Sequence, residues 1–473
     1  MQSLSTYLLS PMEVLVNMTS TIDFVPLRTM EIELARPLPI ISAFDDRTQR
    51  YYQRASCLVR LHTQPLGVIE IQLEQNEVHP HEYAERIWCN LHAQINAHLA
   101  QDGLPAVTEL NAYGLTSSAM PHCIEERERF LASAPFVSVI IPTHDRPDRL
   151  ALCLKSLMAL HYPQYEVIVV DNAPSTNATA DLVQSLSESV PSLHYVREDR
   201  PGPSWARNRG IMVAKGAILA FADDDVVVDP YWLVELVRSF SLADDVGCVT
   251  GLVLPLEIET HAQFLFEQYG GFNKGYTSRI FKRHMGKCSP PMPPLYPYTA
   301  GRFGTGASMA FSAAALRDIG GFDTALGGNG PSRNGQDIAV FFQIVMHGHK
   351  LVYQPKSVTH HLHRRTYAEL YKQIYNYGIG LTAFLTKTAL DNPLLLFDII
   401  SRIPYGLFFI LSSRSTKNSK KLLDYPKELT ALEHKGMLYG PFAYVRSRLQ
   451  IRKIRRRPAV DDAHTTMAVT RNS

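Results

Sequence analysis

Near the N-terminus, apolar and polar positions alternate in two stretches, SCLVRLH (Ser56–His62) and GVIEIQL (Gly67–Leu73). A period of two predicts half-buried strands, and the short connection predicts a hairpin whose turn contains Pro65 and Gly67. From His81 the period changes. Ile87, Leu91, Ile95 and Leu99 recur every four residues and make one apolar helix face, and Gly103 suits the end of that helix. Residues 30–133 are therefore expected to form a small α+β accessory domain without chemistry. Its histidines, such as His79, His81 and His92, lack ligand-like spacing and read as solvated surface. Residues 1–29 read as an irregular leader, and Met30 as a more natural start.

The pattern changes at Pro135. FVSVII (Phe136–Ile141) and YEVIVVD (Tyr165–Asp171) are continuous apolar runs, as expected of strands covered on both faces. Leu150, Leu154, Leu157 and Met158 mark a helix between them. A helix near Ala178–Leu186, the strand LHYVRE (Leu193–Glu198) and the helix SWARNRGIMVAK (Ser204–Lys215) follow. The strand AILAFAD (Ala217–Asp223) and the helix PYWLVELVRSF (Pro230–Phe240) complete the series. Alternating strands and helices imply right-handed βαβ units and a mostly parallel sheet. Ligands of such sheets bind at the carboxyl ends of the strands, where Thr143, Asp145, Arg146, Asp171, Asn172 and Asp223–Asp225 gather.

Glycine-rich stretches, GRFGTGASMAF and GGFDTALGGNGPSRNGQD, precede a histidine cluster, THHLHRR. Beyond about Leu370 the chain reads as helical. Pro393–Ser413 is strongly apolar, yet Asp398, Arg402 and Pro404 interrupt it. A transmembrane helix needs about 18 or more apolar residues in a row, so a helix lying on a membrane or packed on the protein is expected. RSRLQIRKIRRR (Arg446–Arg457) is a basic run. It reads equally as a contact for anionic lipid headgroups and as a solvated tail. Removing the chain after Leu390 is expected to release the protein from membranes.

The 473 residues suffice for two or three domains, and 45 % hydrophobic with 19 % charged residues predicts a mostly folded chain. The net charge of +2 points to no particular partner. No nucleic acid is expected, since aromatic residues do not interleave the basic run. Cys57, Cys89, Cys123, Cys153, Cys248 and Cys288 are scattered, without the close spacing of a zinc or redox motif. They read as reduced thiols of a cytoplasmic protein, peripheral at the inner face of the cell membrane if the C-terminal segments bind lipid. A basic stretch followed by an apolar one, the mark of a signal peptide, is missing at the N-terminus.

Three consecutive carboxylates, Asp223, Asp224 and Asp225, stand directly after a buried strand. Adjacent carboxylates repel by roughly 1 kcal/mol per pair in water, and by more as solvent is excluded. A divalent cation of the Mg²⁺ or Mn²⁺ class, held by Asp-x-Asp oxygens and completed by phosphate oxygens, would offset that repulsion. An acidic solvated turn is the plainer alternative. VSVIIPTHDRPDRL, YEVIVVDNAPS, GPSWARNRGI, AFADDDVVVDPYWL, GTGASMAF, GGFD and NGQD also occur in an order that resembles family 2 glycosyltransferases, from about Pro135 to Tyr377.

That resemblance implies a GT-A nucleotide-sugar-binding α/β domain over 134–370, followed by a helical region over 371–473 that ends in a disordered tail. It implies an inverting transfer from a nucleoside-diphosphate sugar, UDP or dTDP type, to a glycan or lipid-linked acceptor in cell-surface glycan synthesis. Pro142, Thr143 and Arg146 resemble the first nucleotide-contacting turn. Asp171 is placed like the acid that reads the base. Arg207 and Asn208 resemble the pair near the donor diphosphate and ribose, and Asp224 joins the donor site. Asp223 and Asp225 correspond to the metal-binding pair, with His360 as a further ligand and His361 and His363 as rivals. Asp337 matches the catalytic base, where a helix N-cap is the competing reading. Gly304, Thr305, Gly306 and Gln336 correspond to the acceptor side, and Gln336 stands where the family often has Glu.

Three rival readings differ in kind. A nucleotidyltransferase would carry a glycine-rich loop after its first strand, and THDRPDR has no glycine. A dinucleotide enzyme would carry G-x-G-x-x-G there. A catalytically inactive relative that binds glycans or acts as a scaffold remains open at this stage.

Overall fold

The structure is a computed structural model that describes residues 24–74, 76–117, 119–283, 293–328, 330–419, 421 and 425–455. The leader up to residue 23, Cys288 and the tail beyond Arg455 lie outside the described residues.

The N-terminal module is a three-stranded sheet of β1 (Leu27–Glu33), β2 (Arg54–Leu61) and β3 (Gln64–Gln72), with β1 parallel and β3 antiparallel to β2. Strand β1 begins within the stretch read as an irregular leader. Helix α1 (Pro80–Gln101) lays Ile87, Leu91, Ile95 and Leu99 on this sheet, all buried. Helix α2 (His122–Leu131) follows. The hairpin turn is His62–Thr63, both in the left-handed region at φ 52° and 69°. Pro65 and Gly67, expected in the turn, sit in β3, and a Cβ on Gly67 would come within 2.7 Å of the Leu91 side chain. Gly67 thus lets helix approach sheet.

The main domain is built on β4 (Val137–Thr143), α3 (Pro147–Met158), β5 (Tyr165–Asn172), α4 (Ala178–Ser187), β6 (Leu193–Glu198), α5 (Pro203–Val213) and β7 (Ile218–Ala222). Then come β8 (Val226–Val228), α6 (Trp232–Arg238), β9 (Val246–Pro255), α7 (His261–Tyr269), β10 (Arg279–Phe281) and β11 (Ser308–Ser312). Helices α8 (Ala313–Asp318) and α9 (Gln336–Met346) and strand β12 (Lys350–His361) complete it. The sheet order is β6-β5-β4-β7-β11-β9-β12-β8, with β10 also on β12. Strands β4 to β7 are parallel to one another. Strand β11 inserts antiparallel, and β9 and β12 resume the first direction, so β8, β10 and β11 alone oppose it among the described strands.

The continuous apolar runs have the expected cause. In β4 all seven residues are buried. Val139 and Ile141 face a core with Leu150, Leu154 and Trp232, while Ile140 faces a second core with Phe221, Phe311 and Phe341. Each such side chain contributes about 1.5–3 kcal/mol by leaving water. Strands β9 and β12 escaped the sequence reading: the polar residues of β12 mask any period, whereas β9 is almost wholly apolar and buried, a run of the kind seen in β4.

The module is fused to the main sheet. Arg60 Nη1 of β2 lies 2.7 Å from Glu31 and 2.6 Å from Asp229, with Arg60 and Asp229 both buried. Leu58 packs with Leu252, Leu254 and Val358. On the other side, α10 (Tyr367–Asp391) packs along α13 (Lys427–Arg455). A Cβ on Gly378 would lie 2.1 Å from the Glu433 carbonyl oxygen, so the two backbones touch there. Between them run two short helices, α11 (Pro393–Ser401) and α12 (Ile403–Leu411), bent 56° to each other and without a buried residue.

Candidate active site

Strand β7 ends at Ala222, and the three aspartates turn the chain into β8. The turn sends them in different directions. Asp223 stays half-exposed and accepts from Arg207 Nη2 at 2.9 Å. Asp224 turns inward, where Thr143 Oγ1 donates to it at 2.8 Å and Arg146 lies at 3.5 Å. Burial, reinforced by the Asp225 charge, pushes its carboxyl up to about 6. Asp225 is buried among cations: His361 Nε2 at 3.2 Å, Arg364 at 3.5 Å, and Arg146 and Arg149 at 3.6 Å. Burial alone would raise its carboxyl, but His361, Arg364 and Arg146 outweigh burial and hold it well below the carboxylate range.

The repulsion between the three carboxylates is thus offset within the protein. Four arginines reach the cluster from α3, α5 and the segment after β12. Arg149 and Arg364 were not singled out in the sequence, where they belong to the quoted runs THDRPDR and THHLHRR.

The histidine expected at the metal was His360, with His361 and His363 as rivals; the structure places His361, not His360, beside Asp225. Strand β12 pairs antiparallel with β8, His361 opposite Val226 and His360 opposite Val227. Neighbouring side chains of a strand point to opposite faces. His361 therefore meets Asp225, whereas His360 faces the N-terminal module, 3.4 Å from Glu31. His363 donates to or accepts from neighbours only, with Glu267 at 2.8 Å and His361 at 3.3 Å.

Asp223, Asp225 and His361 each offer one ligand atom, all within 4.8 Å of one another. Ligands of one small divalent ion lie about 3–4.5 Å apart, so this set fits Mg²⁺ or Mn²⁺ after a slight contraction. An imidazole beside two carboxylates favours Mn²⁺ of the two.

Asp337 lies across the cleft in the first turn of α9. The N-cap is Gly335, at φ 96°, so the N-cap reading of Asp337 does not hold. Its Oδ2 accepts the Gly306 N–H at 3.2 Å. A Cβ on Gly306 would come within 3.3–3.5 Å of Asp337 and Arg207 Nη2, so both side chains border this backbone closely. Arg207 therefore joins the Asp223 side of the cleft to the Asp337 side. Its Nε and Nη1 are buried without a partner, an arrangement suited to an anion.

Asp171, fully buried at the end of β5, accepts from Tyr195 at 3.0 Å through Oδ2, while Oδ1 has no partner. Burial raises its carboxyl. Thr305 Oγ1 and Gln336 Oε1 are likewise buried and unpartnered. Gly304 sits at φ 152°, its Cα side pressed on Thr250. Several expected contacts resolve differently. Asn208 exchanges two hydrogen bonds with the Phe322 backbone, at 2.8 and 2.9 Å, and holds that loop. Thr143 and Asp224 engage each other, and Pro142 lies buried within β4.

Part of the chain is similar to known glycosyltransferases. Residues 138–312 match the family described as Glycosyl transferase family 2. The Glycosyltransferase AglE of Haloferax volcanii is 38 % identical over 113 residues, 23 % of this chain and 37 % of the relative. The Glucosyl-dolichyl phosphate glucuronosyltransferase of the same organism is 28 % identical over 198 residues, 41 % and 58 % of the two chains. Both matches span less than two thirds of the relative's length. A solved mannosyltransferase from Pyrobaculum calidifontis, in complex with GDP-Man and Mn²⁺, aligns over 70 % of this chain and 93 % of its own, with TM-score 0.41 and 18 % identity. Over residues 138–312, about a third of its length, the chain is thus similar to glycosyltransferase family 2.

Proposed function

We propose that the protein transfers a sugar from a nucleoside-diphosphate donor to an acceptor hydroxyl, with inversion at the anomeric carbon. The observation that carries this reading is the Arg207 bridge. Its Nη2 lies 2.9 Å from Asp223 and beside Gly306, whose N–H donates to Asp337, while its Nε and Nη1 are buried without a partner. One cationic side chain thus spans the space between an acidic ion-binding group and a carboxylate base. In this reading Asp337 takes the proton from the acceptor hydroxyl as it attacks. Arg207 donates to the diphosphate oxygens as the leaving group gains charge. Asp171 Oδ1 accepts the imide N–H of uracil or thymine, which favours UDP or dTDP donors. Thr305 and Gln336 offer their free polar atoms to sugar hydroxyls. Asp223, Asp225 and His361 would hold Mg²⁺ or Mn²⁺, which supplies charge stabilisation for the diphosphate.

The acceptor is proposed to be lipid-linked, with the protein peripheral on a membrane. In α11 and α12, Leu394, Phe397, Phe408 and Leu411 are each more than half exposed. The charges that interrupt this stretch face the protein. Asp398 accepts from Tyr298 at 2.7 Å and from Arg402 at 3.0 Å, and Arg402 also donates to the Pro294 carbonyl. The outward face is left apolar, as a surface-lying helix requires. No single described helix is long and apolar enough to cross a membrane. The dolichyl phosphate in one relative's name supports the same acceptor class.

Calorimetry tests the central reading. UDP, GDP, dTDP and their common sugars are titrated with and without Mn²⁺ into the intact protein, Asp225→Ala and Asp337→Asn. Metal-dependent binding of one nucleotide, lost in the first variant and kept in the second, is expected. Folded protein that binds none of them would favour an inactive glycan-binding relative.

A further inference from the structure

A second convergent cluster lies far from the cleft, in the N-terminal module. It joins His62 of the hairpin turn, His98 and Asp102 at the end of α1, and Cys123 at the start of α2, all four buried. His62 Nδ1 lies 2.6 Å from Asp102 Oδ2 and 3.1 Å from His98 Nε2. His98 Nε2 is 3.0 Å and Cys123 Sγ 3.1 Å from the same Oδ2. Four ligand atoms from three elements thus surround one point. Hydrogen bonds alone satisfy such a group poorly. Oδ2 faces both imidazoles and the thiol, and the two imidazole nitrogens also face each other at 3.1 Å, so the three contacts among His62, His98 and Oδ2 cannot all be hydrogen bonds with one proton each on separate donors.

We propose that His62, His98, Asp102 and Cys123 form a structural zinc site that fastens the hairpin turn, α1 and α2 together beside the main sheet. Two imidazoles, a carboxylate and a thiolate are a tetrahedral zinc donor set, complete without water. Zinc–ligand bonds of about 2.0–2.3 Å place such ligands about 3.3–3.6 Å apart, so the edges of 3.0–3.1 Å open by a few tenths of an ångström and the 2.6 Å His62–Asp102 edge by about 0.7 Å. On binding, the Cys123 thiol proton leaves to solvent and the sulfur bonds the ion. One thiolate and one carboxylate then balance the 2+ charge, and the buried complex is neutral.

The surroundings hold the ligands in place. Asp102 Oδ1 accepts the Cys123 N–H at 3.0 Å, which leaves Oδ2 for the ion. Glu33 accepts the backbone N–H groups of His62 and Thr63 at 3.0 and 2.9 Å, and Arg127 donates to Thr63 Oγ1 at 2.8 Å. Outer contacts of this kind orient metal ligands. Arg60, which anchors the module on Asp229, stands two residues before His62. The site therefore braces the turn at the junction with the main domain. No sequence motif shows it, because the ligands are dispersed over 62 positions (62 to 123).

The test is metal analysis of intact protein purified without metal-chelate resin. About one zinc per chain is expected, falling below about a tenth in Cys123→Ser and in His98→Gln, and unchanged in Asp225→Ala. Cobalt replacement in the unaltered protein reads the site even where a variant fails to fold. Strong tetrahedral d–d bands with a thiolate-to-cobalt charge-transfer band are expected. The proposal is overturned if the protein neither carries nor takes up stoichiometric zinc, if the cobalt spectrum lacks the thiolate band, or if folded Cys123→Ser keeps its zinc.

Discussion

His361 Nε2 lies 3.2 Å from the Asp225 carboxylate, while His360, one residue earlier in β12, faces away toward Glu31. One step along a strand separates the group proposed to hold the ion from the rear of the sheet. His361→Ala is therefore expected to weaken Mn²⁺-dependent donor binding at least about tenfold, and His360→Ala to leave it within about twofold. Metal titrations of both variants check this. Equal losses would place the ion elsewhere.

Asp337→Asn keeps the shape and removes the proposed base, at the cost of one of the two N–H groups that Asp337 accepts, from Ile338 at 2.9 Å and Gly306 at 3.2 Å. Sugar transfer should fall about 10²–10⁴-fold, with nucleotide affinity little changed. Turnover measured beside calorimetry on the same preparation separates the two quantities. A variant that transfers at the original rate would assign the proton to another group.

In the proposed role, Asp171 exchanges stability for binding. Burial raises its carboxyl in the folded protein, so the native state holds that proton more tightly than the unfolded chain. The stabilisation is complete below the ordinary carboxylate range and is lost as pH rises through the raised value. At neutral pH the ionised group, with Oδ1 unpartnered, burdens the ligand-free fold. Asp171→Asn should raise Tm at pH 7, narrow that gain as pH falls toward 4, and weaken nucleotide binding. A lower Tm at pH 7 would contradict the assignment.

The Arg60–Asp229 pair is buried at the seam between module and main domain. Arg60→Met leaves the Asp229 charge without its closest cation and should cost about 3–5 kcal/mol in urea unfolding. Replacing both partners with apolar residues should cost less than the single change, which a double-mutant cycle reads directly.

Deleting everything after Leu390 is a poor test of membrane contact, because α13 packs on α10 with touching backbones. Exposed positions serve better. Phe397→Ser with Phe408→Ser should reduce flotation with anionic vesicles severalfold without altering donor binding. Unchanged flotation would remove α11 and α12 as the contact.

Much of the fold was legible in the chain. Runs such as Val137–Thr143 declare strands buried on both faces, because each strand there separates two apolar cores. Leu193–Glu198 forms a strand over the residues its pattern marks. The Asp223–Asp225 cluster, Asp171 and Asp337 were visible as polar residues at strand and helix ends. Other features depend on long-range pairing that no local period encodes. The β8–β12 register chose His361 over His360, and loop closure on Phe322 engaged Asn208. Arg149 and Arg364 gained their role only when α3 and the end of β12 met at Asp225. The buried His62–His98–Asp102–Cys123 group likewise exists only where three elements converge. Local sequence determines which faces are apolar and where elements end, since those follow from short-range sterics and solvation. Tertiary structure decides which polar groups share a cleft, since that follows from packing between residues far apart in the chain.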